Sequence, residues 1–169
     1  MTGDTWTKGG DYSVEIWFRL TKDADGYPKS KNWEQLLAEP LAEAEDCFRI
    51  TSIPFFVRDV CRGDVVRART VSNPEISEKP ISEFDRIVEK GGHNMYRLLL
   101  KRKNPKDPEF TETELISKGL AIEREHNDFF AVDVPPTVDQ QVIDQYLLTE
   151  SESGHWKMQD GCLQTIRTT

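Results

Sequence analysis

The acidic side chains Asp128 and Asp133 are the first candidates for chemistry, because they flank the apolar Phe129-Phe130 pair. A general acid and a general base would need both carboxylates in one pocket. The simpler interpretation is that Asp128 is a turn residue and that Asp133 is a solvent-facing position on a strand. On that interpretation the sequence contains no catalytic carboxylate pair.

Histidine and cysteine offer no local metal-binding or nucleophile motif. The sequence has no pair of histidines at i, i+4 spacing and no CxxC pair, which are spacings typical of metal sites. A nucleophilic thiol also needs a base that the fold brings close to it. The residues concerned are His93, His126, His155, Cys47, Cys61 and Cys162. We therefore predict no catalytic residue, no metal site and no cofactor.

The segment Gly91-Gly92-His93-Asn94 is a candidate anion cradle, since consecutive backbone N–H groups can surround an anion. It lacks the order of strand, glycine-rich loop and helix that makes a phosphate-binding loop. A tight turn is therefore the preferred interpretation of this segment.

The cysteine count bears on the redox compartment. Three cysteines are an odd number, which favours free thiols in a reducing compartment over a disulfide framework. Cys47 and Cys61 lie beside apolar residues, and we expect both to act as small core side chains.

The composition indicates a folded, acidic protein. The 169 residues are 37% hydrophobic and include 4 Trp and 8 Phe, which is enough to build a core. A net charge of -8 disfavours nucleic-acid binding, and it fits either a basic protein partner or solubility alone. There is no apolar segment of membrane-spanning length and no apolar signal region at the N-terminus. We therefore predict a cytoplasmic protein that binds neither nucleic acid nor membrane.

The N-terminal half, residues 12–90, has the pattern of short strands. An alternating apolar face predicts a half-buried first strand, formed by Val14, Ile16, Phe18 and Leu20. Residues 33–46 are ambiguous, because the apolar side chains sit at helical spacing and Pro40 would end a helix. Further strands are predicted at Phe48–Ile50 and Val65–Val71. This half therefore suits a small curved sheet or barrel.

The C-terminal half, residues 91–160, alternates strands with helices. A capping box at Thr111-Glu-Thr-Glu114 predicts a helix over residues 112–118 that ends at Gly119. A second helix is predicted to begin at Pro135-Pro136-Thr137. The order of strand, helix, strand, strand, helix, strand is that of a ferredoxin-like βαββαβ unit. We therefore predict an α+β protein whose two halves pack as one compact unit.

The most distinctive part of the chain is Ile53-Pro-Phe-Phe56, which is followed by Gly63-Asp64-Val65-Val66. Further blocks accompany it, namely Glu34–Leu41, Gly91–Arg97, and Phe130–Pro135 with Gly119 and Glu123 before it. Together these blocks resemble a bacterial family known as a domain of unknown function, numbered 4265, over about residues 13–160. The chain departs from the family pattern at Ser52, where asparagine is usual, and at Leu37, where tryptophan is usual.

The resemblance carries an expectation about function. Members of that family tend to occur beside polymorphic toxins that are delivered between bacteria. The resemblance therefore implies an immunity protein for interbacterial competition, which binds and neutralises a cognate toxin such as a basic nuclease. It implies no enzymatic activity. Two alternatives stay open: a small enzyme or ligand-binding domain with a pocket between the two halves, and a generic interaction module.

Surface carboxylates are the candidate partner-binding residues, because an inhibitor of a basic toxin would contact it through acidic loops. The candidates are Glu39, Glu43, Glu45 and Asp46 on one turn, and Glu150 and Glu152 after the last helix. By contrast, Ile53, Phe55 and Phe56 are predicted to be buried core anchors. We expect the protein to be a monomer in the absence of its partner.

Overall fold

The computed structural model describes residues 12–103 and 106–163, which form nine strands and two helices. In chain order these are β1 (Val14–Arg19), β2 (Trp33–Pro40), β3 (Cys47–Ile50), β4 (Val65–Val71), β5 (Ile81–Glu89), β6 (Asn94–Leu100), α1 (Pro108–Ser117), β7 (Ala121–His126), β8 (Phe129–Val134), α2 (Gln140–Glu152) and β9 (Trp156–Cys162).

Strands β1 to β5 form a closed barrel. Neighbouring strands pair antiparallel from β1 to β5, and a parallel pair between β1 and β5 closes the barrel, with Ile16 opposite Ser82. The segment that was ambiguous in sequence forms strand β2, because Leu36 and Ala38 lie two residues apart and both point into the barrel. The core of the barrel contains Ile16, Phe18, Leu36, Ala38, Ile50, Val66 and Ala68.

Strands β6 to β9 form a second sheet in the order β7-β8-β6-β9, and every pair in it is antiparallel. Helices α1 and α2 pack on one face of this sheet through Leu115, Ile143 and Leu147. The other face meets the barrel, where Met95 and Ala131 pack with Ile53 of the barrel half. The α+β class predicted from the sequence is confirmed.

Helix α1 begins earlier than the capping box predicts. Its N-cap is Asp107, whose carboxylate accepts a hydrogen bond from the Phe110 backbone N–H at 2.6 Å. Thr111 is buried inside the helix, and its hydroxyl donates to the Asp107 carbonyl at 3.0 Å. Pro108 at the first helical position explains the shift, because proline is compatible there and aspartate is a strong N-cap. Gly119 follows the helix at φ +85°, as predicted for its end.

Helix α2 begins later than predicted, at Gln140. The Asp139 side chain caps it by accepting from the backbone N–H groups of Gln141 and Val142. As in α1, an aspartate takes the capping position in place of the predicted threonine. None of the helices in the described part of the chain combines the length and the apolar character needed to cross a membrane.

A disulfide joins Cys61 of the barrel half to Cys162 at the end of β9, with their Cα atoms 5.9 Å apart. The prediction of free thiols is therefore wrong for this pair. The two residues are 101 positions apart in sequence, and their spacing carries no sign that the fold brings them together. Cys47 is a buried, free cysteine, as predicted.

Candidate functional site

The connection between β3 and β4, residues 51–64, lies between the barrel and the second sheet, and we call it the junction loop. The Glu34 carboxylate of β2 accepts hydrogen bonds from the backbone N–H groups of Phe55, Phe56 and Val57 at 2.6, 2.9 and 2.7 Å. Arg97 of β6 donates to the carbonyls of Phe55 and Val57, the latter at 2.8 Å. One charged side chain from each half therefore holds the same three-residue stretch.

The middle of the junction loop, residues 55–57, lies outside the strands, and these side chains supply partners for its backbone groups. Pro54 lacks an N–H and prevents regular pairing at this point. Backbone polar groups enclosed between two layers must still find partners. The Arg97 side chain is only 6% exposed, and burial lowers its pKa while the nearby charge of Glu34 opposes that effect. The loop therefore depends on a charge pair that spans the junction.

Two further carboxylates fix the ends of the junction loop. Glu123 of β7 accepts from the Ile53 N–H at 3.2 Å. Asp64, which is fully buried, accepts from the backbone N–H groups of Cys61 at 2.9 Å and Gly91 at 2.8 Å. Several residues from the blocks that carried the family resemblance, among them Glu34, Asp64 and Arg97, thus meet at the junction loop.

The aromatic residues of the junction loop differ in burial from the sequence prediction. Ile53 is 3% exposed and confirms its assignment to the core. Phe55 and Phe56 pack against the junction and barrel cores, as predicted for anchors, but they are only partly buried. Their rings contact Phe129, with centroids 5.7 and 6.3 Å away, and Phe56 also contacts Tyr27. Phe55 and Phe56 are only partly buried because the β1–β2 connection does not cover the second sheet at this end.

An aromatic groove of about 950 Å³ occupies that open end, between the β1–β2 connection and the sheet. Lys31 lies over the Phe56 ring, 4.6 Å from its centroid, and pairs with Glu125. The groove is lined by Tyr27, Phe56, Arg97, Leu99, Phe129 and Lys157, among others. It combines aromatic rings with charged side chains of both signs, a lining that suits an amphipathic group.

Asp133 is buried, with 1% of its surface exposed, and the prediction of a solvent-facing side chain is wrong. The barrel covers this face of the sheet, so both faces of β8 are enclosed. The Asp133 carboxylate oxygens lie 2.8 and 3.0 Å from Nδ1 of His93. Burial raises the pKa of Asp133, and the charge of His93 and its hydrogen bond oppose this rise. Asp128 and His126 line the aromatic groove instead, so they do not converge with Asp133.

Four predicted binding residues, one near the end of β2 and three on the β2–β3 connection, form what we call the acidic turn. They are Glu39, Glu43, Glu45 and Asp46, and all four side chains are exposed. Within residues 12–103 and 106–163, none of the four forms an ion pair. The turn therefore presents uncompensated negative charge to solvent.

The remaining two predicted binding residues lie elsewhere, at the end of α2. The carboxylate of Glu150 is half-buried and pairs with Lys106 at 3.1 Å and with His155. Burial alone would raise the pKa of Glu150, but hydrogen bonds from Lys106 and His155 lower it below its ordinary value. Glu152 is exposed. The structure thus gives Glu150 an internal role that the sequence pattern did not indicate.

Metal ligation finds no support in the described residues. No group of three or more His, Cys, Asp or Glu side chains in residues 12–103 and 106–163 is arranged to hold a metal ion. The three histidines lie apart, with His93 at the junction, His126 in the aromatic groove and His155 beside α2.

Comparison with known proteins places the fold and the family. A crystal structure described as a hypothetical protein from Neisseria gonorrhoeae is similar, with a TM-score of 0.69 and 15% identity over 94% of this chain and 100% of that chain. That likeness concerns the fold alone. No curated protein matches this chain. The sequence profile of the DUF4265 family, a domain of unknown function, matches residues 34–158. Because that match covers most of the chain and includes the junction loop with its supports, the protein belongs to the DUF4265 family.

Proposed function

We propose that this protein is an immunity protein, which binds and neutralises a cognate antibacterial toxin. The acidic turn carries the proposal. Its carboxylates repel one another when exposed side by side, and a basic partner would relieve that repulsion and be steered toward it. The family resemblance supports the proposal, since it implies an immunity role.

The backbone of the acidic turn favours such a role. The Leu41 N–H donates to the Cys47 carbonyl at 3.0 Å, and the Cys47 N–H donates to the Ala44 carbonyl at 3.2 Å. The Asp46 carbonyl accepts from the Ala68 N–H of β4 at 2.9 Å. A turn already held by the barrel loses little conformational entropy when a partner binds.

The proposal includes a basic toxin domain as the partner, a cytoplasmic location, a monomer in the unbound state and no enzymatic activity. Nucleic acid and membrane are not part of it. We also assign the second sheet with its two helices to the ferredoxin-like class, which is supported by the order β7-β8-β6-β9.

Protection of cells tests this function. The gene adjacent to the one for this protein is expressed in a sensitive host with and without this protein, and growth and co-purification are measured. We expect growth only when this protein is present, together with a complex that survives purification. Continued killing and the absence of a complex would refute the immunity role.

A small ligand-binding domain or enzyme is a second candidate function, which the aromatic groove favours. The groove lies between the two halves, where such pockets are common. Binding of aromatic or amphipathic compounds that is lost in Phe129→Ser and kept in Phe110→Ser, a change at an exposed helix residue, would support this function.

A further inference from the structure

A second cavity, of about 470 Å³, lies between the barrel and the second sheet, and we call it the His93 cleft. Its charged lining consists of Arg49, Arg62, His93 and Asp133, and the rest is formed by small and apolar residues. The one carboxylate in it, Asp133, is buried behind the histidine.

Among residues 12–103 and 106–163, each of the two arginines makes one polar contact at the rim of the cleft. Arg49 donates to the Gly63 carbonyl at 3.2 Å, although Glu39 lies opposite it on β2. Arg62 lies 3.9 Å from Asp133, and 41% of its side chain is exposed. A guanidinium has five N–H donors, so each of these contacts leaves most donors available for an oxyanion.

The imidazole of His93 is held in one orientation. Because Asp133 faces Nδ1, the polar ring atom on the opposite side is Nε2. The ring packs directly on Gly63, where a Cβ atom would lie 2.8 Å from Cδ2 and 2.9 Å from Nε2 of His93. Glycine at position 63 is therefore required for the ring to occupy this place.

The glycines before His93 position it and do not themselves cradle an anion. The Gly91 N–H donates to Asp64, so this backbone donor is already used. The Gly91 backbone also packs on Gly63, where an added Cβ would meet the Gly63 carbonyl carbon at 2.4 Å. This close approach of two glycine backbones sets His93 at the wall of the cleft.

We propose that the His93 cleft binds a small oxyanion, a phosphate or carboxylate group, through the guanidinium groups of Arg49 and Arg62, beside the imidazole of His93. The arginines supply charge and paired donors, the form of recognition that suits these anions. Asp133 is a positioning residue, which orients the ring of His93. The proposal does not rest on toxin binding, because neither the acidic turn nor a partner protein takes part in it.

The test uses the intact protein and follows its histidine side chains by nuclear magnetic resonance. Inorganic phosphate is titrated in one series and acetate in another, at constant ionic strength. We expect the His93 signals to shift and saturate with a Kd of about 1 mM or tighter for the preferred anion, while the His126 and His155 signals stay unchanged. The series that saturates distinguishes phosphate from carboxylate.

The variant Arg49→Gln/Arg62→Gln checks the assignment of the arginines. Loss of charge-assisted hydrogen bonds should weaken binding by about tenfold or more. The matched control is Arg67→Gln/Arg69→Gln, at exposed positions of β4 outside the cleft, which should bind as the original protein does. No saturable shift of the His93 signals with either anion, or equal weakening in the two double variants, would overturn the proposal.

Discussion

Replacing Arg97 with methionine removes the guanidinium that holds the junction loop against the second sheet. Methionine has a similar length and keeps the side chain apolar, so the change isolates the charge and its hydrogen bonds. The carbonyls of Phe55 and Val57 lose their donor, and Glu34 loses a nearby positive charge. A buried acceptor left without its partner costs about 1–3 kcal/mol, so the two carbonyls together should lower the free energy of unfolding of Arg97→Met by about 2–6 kcal/mol.

Urea unfolding followed by circular dichroism measures this loss. A domain of this size has a free energy of unfolding of about 5–15 kcal/mol, so the change is well within range. The control is Arg67→Met, since Arg67 also lies within a strand but is exposed. It should change the free energy of unfolding by less than about 0.5 kcal/mol.

The double variant Glu34→Gln/Arg97→Met tests whether the two side chains act together. If they support the same stretch of backbone, their effects should differ from additivity by about 0.5–3 kcal/mol. A loss below about 1 kcal/mol for Arg97→Met, or strict additivity with Glu34→Gln, would refute the reasoning that one charge pair holds the loop.

Three further predictions concern other parts of the fold. Alkylation under denaturing, non-reducing conditions should label only Cys47, and labelling of Cys162 as well would contradict the disulfide. Because the folded-state pKa of Glu150 lies below its ordinary value of 4.5, its stabilisation is present above that pH and lost as the pH falls. In Glu150→Gln the free energy of unfolding should therefore fall less steeply as the pH is lowered. The same pH dependence in the variant and the original protein would contradict this role of Glu150. Ile53→Ala should cost about 2–5 kcal/mol and Phe56→Ala less, as urea titrations of both would show, and the reverse order would contradict their burial.

The sequence allowed much of the architecture to be predicted because local patterns determined it. Alternating apolar residues in β1 correctly indicated a strand, and Gly119 marked the end of a helix. The helix starts were misplaced because aspartates outside the expected motif, Asp107 and Asp139, took the capping positions. Residues 33–46 carried two competing local signals, and packing into the barrel core favours the strand there.

The junction was predicted only as a set of family blocks, because its chemistry is non-local. Glu34 and Arg97 are 63 positions apart in the numbering, and neither has a local pattern that points to a loop backbone. Asp133 was misjudged because the covering of both faces of β8 depends on how the barrel docks on the sheet. The acidic turn, by contrast, is local in sequence, and its exposure agrees with the expectation.

The association rate between this protein and its toxin domain, measured at several salt concentrations, tests the central claim most directly. The variant is Glu43→Lys/Glu45→Lys/Asp46→Asn, in which asparagine suits the φ of +62° at position 46. The control with the same charge change is Glu75→Lys/Glu78→Lys/Glu109→Gln, at exposed positions outside the turn.

We predict association that slows as salt rises, since the Debye length falls from about 10 Å at 0.1 M to about 3 Å at 1 M. At low salt the acidic-turn variant should associate about tenfold more slowly than the original protein, and the control should differ much less. Equal rates for the acidic-turn variant and the original protein at every salt concentration would contradict a toxin-binding role for the acidic turn.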